Sequence, residues 1–295
     1  MIKVLVTGAK GQLGTDLVLL LESLGCKTFG LGKSELDITN ELEVKRKITD
    51  INPDIVIHCA AYTNVDKAEA DRDSAFLING IGTRNVVLAS ESIHSKLIYI
   101  STDYVFDGSS STPYHEFSPV SPLNVYGQSK LAGESYVRDF HSRFFIVRTS
   151  WVFGAEGDNF VKKMLKLYHT TEQLTVINDQ VGCPTYTVDL AMSIVELMIS
   201  DKYGIYHISN TGSCSWFEFA KEIFRQSNIQ ANLKPCTTEE LSRPAKRPMY
   251  SVMDHVGLRI NSFSILPHWQ DALNRFLIQI GRKQSPDFSN NIDEG

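Results

Sequence analysis

The sequence predicts an α/β fold, a doubly wound parallel sheet with a smaller C-terminal lobe. Three observations lead there. Short apolar runs alternate with amphipathic segments through the first half. A glycine-rich turn directly follows the first run. After about Trp151 the rhythm changes.

The apolar runs lie at 2–7, 27–31, 54–60, 96–101 and 144–149. Most are unbroken and rich in Val and Ile, the composition of strands covered on both faces. Helical patterns at 13–24, 41–50, 74–92 and 124–140 separate them. Strands alternating with helices make βαβ units, whose strands run parallel. Beyond Trp151, helices are expected at 159–168, 188–198, 216–226 and 267–279, and short strands at 174–177, 204–208 and 232–236. Residues 1–150 thus form one domain. Residues 151–282 form mainly the smaller lobe, with segments free to exchange with the first domain. Residues 283–295 are polar and read as a flexible tail.

Bulk properties narrow the function classes. The 295 residues suffice for one large core, or for a main domain with a smaller one packed on it. Lys and Arg number 29 against 34 Asp and Glu, a net charge of −5. A duplex binder needs a basic face to displace counterions, so nucleic acid is not the expected partner. No apolar run approaches the ~20 residues of a membrane helix, and no secretory signal opens the chain. A cytoplasmic protein without membrane contact is expected. Cys26, Cys59, Cys183, Cys214 and Cys236 are scattered and never spaced as C-x-x-C. Zinc sites and disulfide frameworks show close pairs, so these read as small buried apolar residues, and no metal site is expected.

The segment Thr7-Gly8-Ala9-Lys10-Gly11-Gln12-Leu13-Gly14 leads from the first strand into a helix. Gly8 suits a tight turn, Gly11 a close approach of backbone to a pyrophosphate, and Gly14 close packing of helix on strand. The phosphates would rest on N–H groups at the helix N-terminus. This is the pattern of a dinucleotide-binding Rossmann domain. An acid usually closes its second strand and binds the ribose of NAD. Here the stretch is Gly30-Leu31-Gly32-Lys33-Ser34. Lys33 can meet a 2′-phosphate instead, which favours NADPH or tolerance of both NADPH and NADH.

Tyr126-Gly127-Gln128-Ser129-Lys130 forms Y-x-x-x-K on an expected helix. Residues four apart share one helix face. A phenol titrates near 10, and a nearby ammonium lowers that value, which would fit Tyr126 for acid–base work. The alternative is an ordinary surface pair in which Lys130 bridges Glu134. Upstream, the strand at 96–101 delivers Thr102 and Asp103 to its C-terminal end, where ligands bind in open α/β sheets.

Taken together, these motifs make the chain resemble the extended short-chain dehydrogenase/reductases, and among them the dTDP-4-dehydrorhamnose reductase family. The resemblance runs from Met1 to about residue 281. It is carried by the glycine turn, by His58-Cys59-Ala60-Ala61-Tyr62-Thr63-Asn64-Val65-Asp66-Lys67-Ala68-Glu69, by 101–108, and by Pro122-Leu123-Asn124-Val125-Tyr126-Gly127. Arg148-Thr149-Ser150-Trp151-Val152-Phe153-Gly154 and Asn178-Asp179-Gln180-Val181-Gly182-Cys183-Pro184-Thr185 carry it further and are more specific. The resemblance implies reduction of the 4-keto group of dTDP-4-dehydro-L-rhamnose for surface polysaccharide synthesis. It implies that Gly11, Gln12 and Leu13 meet the cofactor pyrophosphate. Asp37 and Ile38 would lie against the adenine, and Ala60, Ala61 and Tyr62 would line the cofactor groove. Thr102, Asp103, Tyr126 and Trp151 would surround the deoxysugar, with Asn159 and Gln180 toward its diphosphate. Tyr126, Lys130 and Thr102 would carry the chemistry.

Some members hold magnesium through acidic residues at a dimer contact. Asp16 matches one such position, but Val188, with Asp189 beside it, stands at the other. That departure weakens the case for a metal bridge, and the expected protein is a monomer or homodimer. Two other readings remain at this point. Related dehydratases place Asp-Glu after the threonine, whereas Asp103-Tyr104 stands here. A non-catalytic subunit resembling the beta subunit of methionine adenosyltransferase need not keep the whole acid–base set.

Overall fold

The computed structural model describes residues 1–284, with side chains through Gly281. The tail expected at 283–295 lies outside the described residues, apart from two positions that continue the last helix. The order begins β1 (Lys3–Thr7), α1 (Gln12–Ser23), β2 (Lys27–Leu31), α2 (Glu41–Ile51), β3 (Ile55–His58), α3 (Val65–Ala70) and α4 (Arg72–Phe76). A π-helical turn (Leu77–Gly82) leads into α5 (Thr83–Ser92) and β4 (Lys96–Thr102). A 3-10 turn (Asp103–Val105), α6 (Val125–Phe140) and β5 (Phe144–Thr149) follow.

The second half opens with β6 (Val152–Phe153), α7 (Phe160–Tyr168), β7 (Leu174–Ile177), β8 (Val181–Gly182), β9 (Thr185–Tyr186) and α8 (Thr187–Met198). Next come β10 (Gly204–His207), β11 (Cys214–Ser215), α9 (Trp216–Gln226), β12 (Leu233–Cys236), α10 (Thr238–Leu241), α11 (Val256–Ile260) and α12 (Trp269–Gln284).

Six parallel strands form one sheet in the order β10-β5-β4-β3-β1-β2. Strand side chains alternate between faces. Val4, Val6, Ile57, Ile98 and Val147 enter one core with α1 and α8. Leu5, Val56, Leu97 and Ile146 enter the other with α2 and α5. Two covered faces explain the unbroken apolar runs. Full burial of each such side chain contributes about 1.5–3 kcal/mol before entropy is counted.

Two second-half elements join the first domain, an exchange the sequence leaves open. β10 extends the main sheet beside β5, and α8 packs its Leu190, Ile194 and Leu197 stripe into the core of α1. Periodicity shows that a helix has an apolar face but not which core receives it. The helix expected at 74–92 is divided by the π turn, where Asn79 is fully buried. Asn79 Nδ2 donates to Tyr62 O at 3.0 Å and to Ser129 Oγ at 2.9 Å. The turn thereby ties the loop after β3 to α6, and π turns often mark functional sites.

The smaller core gathers Phe153, Tyr186, Phe219, Trp269 and Phe276 with α7, α9 and α12. All five cysteines are free. Among the described residues, no helix is long and apolar enough to cross a membrane.

Candidate active site

The chain reverses direction across the sheet between β1 and β3, the switch point where open α/β sheets bind ligands. A cleft of about 1240 Å³ opens there and continues past β4 and β5 to the smaller lobe. Gly8 has φ +66°, and a Cβ on it would lie 2.6 Å from Ala60 N. A Cβ on Gly14 would lie 2.3 Å from Gly8 O. Only glycine permits these approaches. Gly11 caps α1 without a side-chain hydrogen bond, and the first turn holds no acid. Its N–H groups lack helical acceptors and suit an anion. This cradle fits a dinucleotide pyrophosphate.

Lys33, Asp37, Ile38, Ala60, Ala61 and Tyr62 all line the cleft. Lys10 lines it too and pairs with Glu35, which also accepts from Gly32 N at 3.0 Å. An acid does therefore follow β2, but it is engaged with Lys10. Asp37 accepts from Thr39 N at 3.0 Å and Thr39 Oγ1 at 2.8 Å, which holds its carboxyl below the usual range. Asn40, not Asp37, caps α2.

Thr102 ends β4, and Asp103 follows in the 3-10 turn. Asn124 caps α6 by accepting from Gly127 N at 2.8 Å, and Glu69 accepts from Val125 N at 2.8 Å. These bonds hold the first turn of α6, which carries Tyr126, against Thr102. The Tyr104 ring stands edge-on to Tyr126 at 5.8 Å. Thr102 Oγ1 donates to Asp103 Oδ1 at 3.1 Å.

The electrostatics correct one expectation. Burial pushes the Tyr126 phenol up to about 12, opposed by its hydrogen bond with Thr102 and aided by Asp103. Lys130 makes no resolved contribution. Its Nζ donates to Ile100 O at 2.6 Å and lies 4.1 Å from the Tyr99 ring centre. Burial brings Lys130 down to about 7, against the opposing pull of Glu134. The ammonium is bonded to the Ile100 carbonyl rather than to the phenol. Tyr126 is thus an acid kept protonated rather than a primed phenolate. Burial also raises the Asp103 carboxyl to about 6, against hydrogen bonds from Ser251 and Thr102. The surface-pair alternative fails as well. Lys130 and Glu134 are both buried, and Glu134 pairs with Arg148 at 2.8 Å.

Trp151 lines the cleft. It has φ +47°, unusual for a bulky residue. Its indole stacks on Trp216 with centroids 3.5 Å apart and planes 8° apart. On another side it meets Gly182, where a Cβ would come within 2.6 Å.

Two predicted site residues stand away from the cleft wall. Asn159 caps α7 through Lys162 N at 3.0 Å and donates to Gly154 O at 2.8 Å and Gln12 Oε1 at 3.0 Å. The Gln12 side chain also accepts from Gly154 N at 3.1 Å, so it joins α1 to the smaller lobe. Gln180 is buried and donates to Thr238 Oγ1 at 2.9 Å. Both side chains are engaged in bonds within the protein. Sequence reasoning missed Trp216, Tyr104 and Lys10, which do line the cleft. Trp216 opens α9 as an aromatic beyond a capping serine, a pattern equally common in core helices. Asp189 binds Arg275 at 2.7 Å and Asn210 at 2.7 Å. Among the described residues no group of three or more His, Cys, Asp or Glu could hold a metal.

Known proteins resemble this chain over most of its length. The RmlD substrate binding domain model matches residues 2–281. The chain is 44% identical to the spore coat polysaccharide biosynthesis protein SpsK of Bacillus subtilis over 278 residues, covering 94% of this chain and 97% of that one. It is 40% identical to the dTDP-4-dehydrorhamnose reductase of Streptomyces griseus, covering 96% and 95%. The crystal structure of dTDP-4-dehydrorhamnose reductase from Bacillus anthracis in complex with NADP superposes with a TM-score of 0.93, at 49% identity, covering 95% of this chain and all of that one. A glycine cradle, a Tyr126–Thr102 pair lining the same cleft and full-length similarity agree, and the chain belongs to the RmlD substrate binding domain family.

Proposed function

We propose that the protein is an NADPH-dependent dTDP-4-dehydrorhamnose reductase, reducing the 4-keto group to give dTDP-L-rhamnose. The observation that carries this reading is one continuous cleft. The glycine cradle, the two tryptophans, Tyr126 and Thr102 all line it. NADPH, when bound, supplies the hydride that the carbonyl carbon accepts.

The remaining steps belong to this chain. Thr102 and Tyr126 hold the carbonyl oxygen where negative charge develops. Tyr126 then gives its phenolic proton to that oxygen, completing the alcohol. Its high proton affinity keeps the phenol protonated through neutral pH, as a donor requires. Lys130 seats the cofactor ribose, and positioning of the two reactants supplies much of the rate. Trp151 and Trp216 offer apolar faces to a 6-deoxy sugar. Lys33 and Lys10 favour the 2′-phosphate of NADPH, with NADH as the weaker cofactor. A dehydratase reading lacks its acid, since Tyr104 follows Asp103.

The test follows loss of NADPH absorbance when purified protein meets dTDP-4-dehydro-L-rhamnose. Turnover with product dTDP-L-rhamnose is expected. Absence of turnover with every 4-keto-6-deoxy sugar nucleotide would overturn the proposal.

A further inference from the structure

The Tyr126–Lys130 spacing continues one helical turn to Glu134, which has no exposed surface. Glu134 Oε1 accepts from Ser101 Oγ at 2.6 Å and Arg148 Nε at 2.9 Å, and Oε2 accepts from Arg148 Nη2 at 2.8 Å. Ser101 and Arg148 face each other in the β4–β5 register. Consecutive residues of β4 therefore divide the work. The Ile100 carbonyl takes the Lys130 ammonium, Ser101 takes Glu134, and Thr102 stands at Tyr126.

We propose that Glu134 is a positioning residue of the reduction: clamped by Ser101 and Arg148, it seats Lys130 at the cleft and keeps its ammonium charged. The proposal rests on the role given to Lys130 above. Stability alone does not explain a charged pair in this place, because apolar residues of similar volume are often as stable there.

The groups facing Lys130 single out Glu134. From the β3 side come His58, held neutral by burial at about 3, and the Cys59 thiol, raised by burial to about 12. From β4 comes the Tyr99 ring. Tyr126 lies on the same helix and stays protonated. Arg148 on β5 is bound to Glu134 itself. Glu134 is the one carboxylate in this set. It opposes the burial that lowers Lys130 to about 7.

The experiment measures kcat/KM against pH for the wild type, Glu134→Gln and Glu134→Asp. Activity that needs charged Lys130 falls as pH rises through its titration. Loss of one nearby opposite charge shifts a titration by about one pH unit or more. Glu134→Gln should therefore move the alkaline limb down by that amount, costing roughly 10-fold near pH 8 and far less near pH 6. Glu134→Asp keeps the charge, so its limb stays in place while kcat falls. An equal loss at every pH in Glu134→Gln, with an unmoved limb, overturns the proposal. Should Glu134→Gln not fold, Glu134→Asp carries the test: a fall in kcat with the limb in place supports the proposal, and a moved limb or an unchanged kcat overturns it. Lys130→Met separates the two levels. If it retains full activity, the role of Lys130 fails. If it is inactive while the Glu134→Gln limb is unmoved, the inference alone fails.

Discussion

The two ends of the cleft are built by different means. The nucleotide end is made of backbone: Gly8 and Gly14 let β1, α1 and the Ala60 loop approach more closely than any side chain allows. The sugar end is made of side chains from separate segments, Trp151 after β5 and Trp216 at the start of α9, stacked at 3.5 Å. A backbone-built wall depends on one short contiguous motif. A side-chain-built wall depends on how distant segments fold together. The first tolerates little change at its glycines and much elsewhere, while the second allows substrate preference to vary on a constant frame.

Tyr126 lines the cleft and gives the proton in the proposed reduction, so its loss gives the largest expected effect. Tyr126→Phe keeps the ring against Tyr104 and removes the proton donor. Turnover should fall by about 10²–10⁴, the usual contribution of a general acid. NADPH affinity measured by titration should stay near wild type. Wild-type turnover in this variant would remove Tyr126 from the chemistry.

Gly8→Ala tests the backbone wall. The new methyl must enter space beside Ala60 N at φ +66°. Crowding of this kind costs about 1–3 kcal/mol, or roughly 5- to 150-fold in affinity where it displaces the cradle. NADPH binding should weaken and the melting temperature should drop together. Weakening of the sugar nucleotide alone would contradict the division between the two ends.

The same contrast explains what could be read from the chain in advance. β1, the glycine turn and α1 are contiguous, so their role was legible. The five first-half strands were legible because both sheet faces are covered. That β10 is one of the exchanged segments was not legible, because four residues, Gly204 to His207, carry no mark of which sheet receives them. Gln180 was named for the site on resemblance, yet it bonds Thr238, a partner 58 residues away. Trp216 went unnamed because its partner Trp151 is 65 residues upstream, and only folding stacks them. The Lys130 electrostatics were misjudged for a related reason. Burial dominates its proton affinity, and helical spacing does not reveal burial.

Trp216→Ala tests the side-chain wall. Stacked aromatic pairs contribute about 0.5–1.5 kcal/mol beyond burial, or roughly 2- to 10-fold. KM for the sugar nucleotide should rise by about that factor as Trp151 loses its support. NADPH affinity should not change. A packing role alone would instead lower the melting temperature and impair both ligands alike, and that result would return Trp216 to the core.

The smallest expected effect lies in the one part of the nucleotide end that is not backbone. Lys33 is exposed at the cleft edge, and Lys10 lies nearby in its pair with Glu35. Replacing Gly32 would be a poor probe, since a Cβ there would come within 2.9 Å of both Glu35 and Lys10. Lys33→Asp has no such crowding. It removes a positive charge that would face a 2′-phosphate and adds a carboxylate able to accept from a 2′-hydroxyl. Exposed charge pairs contribute about 0.2–1 kcal/mol, so the ratio of kcat/KM for NADPH to that for NADH should fall roughly 1.5- to 5-fold. High salt should shrink the change, because exposed charges are screened. An unchanged ratio would assign the phosphate to Lys10, freed from Glu35 by the incoming anion, and Lys10→Met would then carry the whole preference.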